Sequence, residues 1–330
     1  MKSVYFLFKV SDPLKSYITK KLEPTSVNLI FSEDPITDIW DHLHKINVIV
    51  GWQPTIEMLV TENILYLINP GAGVQHLVPL VKDANSKRHS KLTLINNHGN
   101  AYFTAQSAVS LLLSVMCKVV LHHNWMNSGL WRRGDDFAKS IPLKNQTIGL
   151  FGYGSVNRLV HQFLSGFDVK FVALKRELGS EGELTVYTPD QLHQFLKIID
   201  ILIIAAPLTM ETIDLIGTDE LSLLGTNGII INMGRGKIIN ENALYLALKH
   251  QTIQAAGIDV WYNYDPEEND GRKYPYSYPF HKLNNVVLSP HRGASPMDDL
   301  ERWDDIIMNL NAICSDEANL MNVVDLEKEY

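Results

Sequence analysis

Residues 147–157, TIGLFGYGSVN, constrain the fold more than any other stretch. An apolar strand runs into a glycine turn, and the turn opens a helix. Val156, Leu159, Val160 and Phe163 recur at helical spacing, and Gly166 stands where a C-terminal cap belongs. A second apolar run, 169–174, follows at once. Strand, turn, helix and strand make a βαβ unit of the kind that holds a dinucleotide. In that design the first glycine makes the tight turn. The second lets backbone N–H groups approach a pyrophosphate at the positive end of the helix. Gly152 and Gly154 fill these roles, with Tyr153 between them and Ser155 and Val156 opening the helix. The third glycine of the pattern is replaced by Asn157. Its Cβ and amide are expected to push the helix outward or to turn to solvent.

The second strand ends in Lys175-Arg176 rather than in a carboxylate. An Asp or Glu here would accept from a ribose 2′-hydroxyl and repel a 2′-phosphate. Two cations attract that phosphate, and arginine grips it with a fork of donors. The pair therefore points to NADP, with NAD still possible; the alternative is a solvated basic pair.

The chain has 330 residues, enough for two domains. Short apolar runs at 4–10, 27–31, 48–50, 64–68 and 92–95 alternate with helix-length polar stretches, the pattern of a small parallel α/β domain. Further strands read at 201–205, 228–232, 255–258 and 286–289 complete a doubly wound sheet after the nucleotide turn. The expected division is 1–98 with 296–330 as a substrate domain and 99–295 as the dinucleotide-binding domain. One long apolar helix, about 103–124, is expected to be buried as the hinge between them. Residues 126–140 follow as a polar segment in which Trp131 could pack back onto a domain.

A net charge of −8 without a basic stripe argues against nucleic acid. Residues 1–8 read as a first strand rather than a signal peptide, and the apolar stretch 105–121 carries Lys118 and Ser110, so no membrane association is expected. Cys117 and Cys314 have no metal or redox spacing, which suits reduced thiols in the cytoplasm. The twelve histidines show no ligand spacing, so no metal is expected. Strand ends carry the candidates for chemistry. Ala72 and Gly73 lie in a small-residue loop able to offer N–H groups to an anion, and His98 follows the fifth run.

Taken together, the motifs resemble the D-isomer-specific 2-hydroxyacid dehydrogenases. They run in family order: Gly71-Ala72-Gly73, Gly152-Tyr153-Gly154, Pro207-Leu208-Thr209, residues 232–236 (NMGRG), residues 257–260 (GIDV) and residues 285–291 (NVVLSPH). The resemblance implies a Rossmann nucleotide domain beside a smaller flavodoxin-like α/β substrate domain. It implies a homodimer, and hydride transfer between a nicotinamide and C2 of a small 2-keto or 2-hydroxy acid such as glyoxylate or hydroxypyruvate. By the same matching, Arg235 anchors the substrate carboxylate and polarises the carbonyl, and His291 is the acid–base. Imidazole suits that role because its unperturbed pKa of about 6.5 serves both directions near neutrality. Ala206, Pro207, Thr212, Met233, Gly234, Asp259 and Gly293 fall on cofactor-lining positions.

The family's third catalytic member, a glutamate paired with the histidine, has no direct counterpart. Its strict position holds Tyr264, and a slip of one residue selects Asp265, followed by Pro266. Asp265 is the expected partner because the acid–proline pair is kept; the alternative is a solvated acidic loop. Without a carboxylate there, the optimum should move to more acidic pH. Residues 269–279, rich in tyrosine, form a longer loop than the family pattern, for which pocket shaping and a dimer contact both remain open. Two other functions fit the same motifs: a phosphoglycerate dehydrogenase-type enzyme, with His98 or Arg292 meeting a phosphate, and a non-catalytic NAD(P)-sensing protein.

Overall fold

A computed structural model describes residues 1–22, 27–132, 138–177, 182–315, 317 and 319–330. The chain divides into two compact units, 1–100 with 296–330, and 101–295. Residues 133–137 of the polar segment lie outside the described residues.

The first unit holds a five-stranded sheet: β1 (Lys2–Phe6), β2 (Val27–Ile30), β3 (Val48–Val50), β4 (Tyr66–Ile68) and β5 (Thr93–Ile95), in the order β2-β1-β3-β4-β5 with every pair parallel. Side chains alternate between two buried faces. Tyr5, Ile49, Leu67 and Leu94 enter one cluster; Val4, Phe6, Val48, Val50, Ile68 and Ile95 enter the other, with Ile306, Leu310 and Ile313 of the helix Asp304–Cys314. Burial of both faces explains why these strands read as unbroken apolar runs.

The second unit holds β6 (Thr147–Phe151), β7 (Lys170–Leu174), β8 (Thr185–Tyr187), β9 (Ile201–Ile204), β10 (Ile229–Asn232), β11 (Ala255–Ile258) and β14 (Val286–Leu288) in the order β14-β11-β10-β9-β6-β7-β8, again all parallel. The strand order reverses between β6 and β9, the switch point beyond which ligands bind in such sheets. A hairpin of β12 (Glu268–Asn269) and β13 (Arg272–Lys273) stands apart, turning through Asp270 and Gly271, both at positive φ. It occupies the long loop. Beyond it Tyr276, Tyr278 and Phe280 pack onto this unit's core, with Tyr276 against Trp261 and Tyr278 against Tyr245.

Two expectations change. The long apolar helix is broken in two, Ala101–Met116 and Val119–Asn127, with a bend of 62°. Lys118 takes a left-handed backbone (φ 53°), which no continuous helix tolerates. The first piece buries Ala105, Ala108, Leu112 and Met116 on the sheet, whereas no residue of the second is buried, and Trp131 is exposed rather than packed. No single described helix is long and apolar enough to cross a membrane.

Asn157 is the other. It neither displaces its helix nor reaches solvent; it is fully buried, and its Nδ2 faces the carbonyls of Gly152 (2.6 Å), Phe151 (3.2 Å) and Ile203 (3.3 Å). The amide ties the glycine turn to the ends of β6 and β9, where a glycine would leave these carbonyls to find other donors. Asn157→Ala is therefore expected to lower unfolding stability by about 1–3 kcal/mol, the cost of leaving buried acceptors unpaired. Denaturant melts of the two proteins measure it, and equal midpoints would reject this role.

Candidate active site

Because the sheet strands of the second unit run parallel, the loops bearing the candidate residues gather at one edge. Gly152 makes the first turn at φ 79°, and a Cβ there would lie 2.9 Å from Ala206 Cα. A Cβ on Gly154, by contrast, would meet nothing within 4 Å, which leaves its face open. The helix Ser155–Leu164 begins there with no side-chain cap, so its first N–H groups remain for an anion. These features fit a dinucleotide pyrophosphate. Tyr153 is held by a hydrogen bond between its hydroxyl and His161 Nδ1 (2.7 Å), and the Arg158 guanidinium lies 4.8 Å from its ring centre.

Lys175 and Arg176 follow β7, as an adenosine-phosphate site requires. Arg176 donates to Glu211 at 2.8 Å and so spans to the loop after β9. In that loop Thr212 Oγ1 donates to the Pro207 carbonyl at 2.8 Å and accepts from the Thr209 N–H at 2.8 Å. The loops are in close contact: a Cβ on Gly234 would lie 2.7 Å from the Ala206 carbonyl oxygen. One on Gly293 would lie 2.6 Å from both Asp259 Oδ2 and Met233 Cε. Ala206, Met233, Gly234, Asp259 and Gly293 therefore form one continuous patch.

Arg235 follows β10, its Nη1 donating to the Gly234 carbonyl at 2.7 Å. Burial lowers its pKa from the ordinary guanidinium value, and the Tyr264 phenol opposes this; the group remains a cation. His291 follows β14 with φ 58°, a left-handed conformation uncommon outside glycine. The buried Asp259 carboxylate holds this turn. It accepts the Arg292 N–H at 2.7 Å, the Gly293 N–H at 2.8 Å and the Ser289 hydroxyl. His291 Nδ1 lies 3.3 Å from the Asp259 backbone carbonyl, which favours a proton on Nδ1 and leaves Nε2 for chemistry.

Asp265 does not take the place expected of it. It is exposed, and its N–H turns back to Asn263 Oδ1 at 3.0 Å. The side chain against His291 is Tyr264, ring centres 5.0 Å apart and edge-to-face. The loop fails to slip by a residue because the Tyr264 oxygen accepts the Trp261 N–H at 3.3 Å, while the Trp261 indole donates to the Ser289 carbonyl at 2.8 Å.

The first unit carries Ala72, Gly73 and His98. Three buried asparagines shape its loop. Asn69 donates to the carbonyls of Gly71 (2.6 Å) and Gly73 (3.0 Å), Asn96 to Ala72 (2.9 Å) and Asn97 to Pro70 (3.2 Å). With its carbonyls bound, the loop has its N–H groups left for an anion. Burial lowers the pKa of His98, and Asp305 partly offsets this. The role of the asparagines escapes sequence reasoning, with the run Asn96-Asn97 as the available signal, and Tyr264, which the motif spacing put at the strict position, was passed over for Asp265.

Residues 109–293 match the family described as D-isomer specific 2-hydroxyacid dehydrogenase, NAD binding domain. The chain belongs to this family. It is an oxidoreductase of the NAD(P)-dependent 2-hydroxyacid dehydrogenase class. A glyoxylate/hydroxypyruvate reductase of Arabidopsis thaliana is 27% identical over 96% of this chain and 88% of its own length. A glyoxylate reductase of Thermococcus litoralis is 32% identical over 66% of each. Among solved structures, an NADPH-dependent glyoxylate/hydroxypyruvate reductase of Sinorhizobium meliloti covers 100% of both chains with a TM-score of 0.80 at 19% identity, a likeness of fold.

Within this 2-hydroxyacid dehydrogenase the Asp259 carboxylate is the strut of the histidine turn. Asp259→Ala is expected to cost about 2–3 kcal/mol, since three donors lose their acceptor beneath a strained residue. Thermal melts check this; an unchanged transition would show that the turn holds itself.

Proposed function

We propose that this protein reduces a small 2-keto acid, of the glyoxylate or hydroxypyruvate type, at C2 with NADPH as the hydride source. The observation that carries the reading is the placing of Arg235 and of His291, with Tyr264 packed on the imidazole, on strand-end loops at the sheet edge that also bears a glycine turn suited to a dinucleotide. Bound NADPH supplies the hydride. The Arg235 guanidinium grips the substrate carboxylate and draws electron density from the carbonyl. His291 gives its Nε2 proton to the oxygen that becomes the hydroxyl, and takes one back on oxidation. Gly152, Gly154, Ser155 and Val156 receive the pyrophosphate. Ala206, Pro207, Thr212, Met233, Gly234, Asp259 and Gly293 line the nicotinamide half. Ala72, Gly73 and His98 complete the substrate contacts. The names of the Arabidopsis and Thermococcus relatives support this substrate class, and Lys175 with Arg176 supports NADPH over NADH.

Initial rates with NADPH and NADH over a panel of 2-keto acids test the reading. NADPH is expected to be preferred, and the preference is expected to fall at least tenfold in Lys175→Asp/Arg176→Ala. His291→Ala is expected to lower kcat by about 100-fold or more. Cofactor binding with no turnover on any keto acid would move the protein to a sensing role.

The reading includes a homodimer in the cytoplasm. Exposed apolar side chains on and beside the helix Val119–Asn127, namely Val119, Val120, Met126 and Trp131, support self-association. Cys117 is exposed and Cys314 half-buried, neither in a disulfide, which supports the compartment. Light scattering is expected to give the mass of two chains and a tagged protein to follow the cytosolic fraction. A one-chain mass, or recovery with organelles, would reject the respective point.

A further inference from the structure

The group packed against His291 is a phenol and not a carboxylate. Tyr264 meets the imidazole edge-to-face at 5.0 Å with an interplanar angle of 76°, and its oxygen is tied to the Trp261 N–H. Within this unit, the titratable and charged groups near His291 are Tyr264, Asp259 and Arg292, with Arg235 on the loop after β10. The Asp259 carboxylate is engaged by Ser289, Arg292 and Gly293, and turns its backbone carbonyl to the ring. Arg292 is exposed and adds a positive charge, as Arg235 does. Asp265 and Glu267 are exposed, and Glu268 lies 3.8 Å from Lys273. No carboxylate among the described residues of this unit hydrogen-bonds or ion-pairs with the imidazole.

We propose that Tyr264 is the positioning residue of His291. It fixes the imidazole by packing and leaves the protonated ring without a carboxylate partner among the described residues of this unit, so that reduction is confined to more acidic pH than a carboxylate at this place would allow.

The inference rests on the reading of His291 as the acid–base, and the sign follows from it. Reduction consumes a proton from the imidazolium, so its rate falls as pH rises and the ring loses that proton. Oxidation needs the neutral ring and gains over the same range. An anion beside the ring favours the imidazolium and moves both limbs upward. The Asp259 carboxylate is taken up by Ser289, Arg292 and Gly293, and two arginines and a phenol supply no such anion.

The test compares wild type with Tyr264→Glu, Tyr264→Phe and Tyr264→Ala. The readouts are pH profiles of reduction and oxidation, NADPH affinity, and the NMR titration of the His291 ring, assigned through His291→Gln. In Tyr264→Glu the alkaline limb of reductive kcat/KM is expected to rise by about 1 pH unit or more, with the ring titration moving alike. Tyr264→Phe keeps the ring and the limb. Tyr264→Ala removes the packing and lowers kcat by about tenfold at every pH, with NADPH affinity unchanged. Tyr264→Asp repeats the charge test should the glutamate variant fail to fold. An unmoved limb and an unmoved titration in a glutamate or aspartate variant that binds NADPH would overturn the proposal. If the wild type turns over no keto acid, the catalytic reading fails, while the ring titration still decides whether residue 264 sets the protonation of His291.

Discussion

Parallel pairing is the constraint on which the rest of the larger unit depends. Each of the seven sheet strands leaves at the same edge, so every loop that can carry chemistry is delivered to one place. The price is that both sheet faces must be covered. The isoleucines of β9 and β10 show how: Ile201, Ile203, Ile229 and Ile231 face the helix Ala101–Met116, while Ile204 and Ile230 face the cluster containing Leu221 and Leu244. With both faces apolar, polar residues are left to the strand ends, where the candidate side chains stand.

Closeness at that edge is maintained by polar groups that do no chemistry themselves. Asn157 closes the gap between the ends of β6 and β9, and the Asp259 carboxylate pins the turn after β14 to the end of β11. The left-handed His291 costs about 1–3 kcal/mol of strain. Two charge-assisted N–H bonds and a hydroxyl bond to Asp259 offset it. The histidine is thus held in an unusual conformation by a neighbouring loop, which fixes where its ring points.

The sequence made the sheets legible because apolar runs buried on two faces leave a plain signal. Of the strands in the two parallel sheets only β8 went unread; Thr185–Tyr187 is a short edge strand with no buried residue. The break at Lys118 was illegible because nothing in its side chain demands a left-handed backbone. Asn157 was misjudged for a different reason. Its motif position suggested a steric defect, whereas its amide satisfies carbonyls that become visible only in three dimensions. Asp265 was favoured on proline adjacency, a local cue. What places Tyr264 instead is long-range, the bond from the Trp261 indole to Ser289.

Cofactor choice turns on a competition that the basic pair alone does not reveal. Arg176 is already paired with Glu211, whose side chain is 68% exposed while that of Arg176 is 23% exposed. An ion pair with one partner so open to water contributes about 0–1 kcal/mol. A ribose 2′-hydroxyl carries no charge and has little with which to displace the carboxylate. A 2′-phosphate near −2 brings several acceptors to the same guanidinium, and Lys175 adds a second cation beside it. On the NADP reading, Glu211 therefore holds Arg176 extended toward the loop after β9 and yields to the phosphate. Discrimination between the two cofactors then comes from attraction to the phosphate, less the small cost of releasing Glu211 to water.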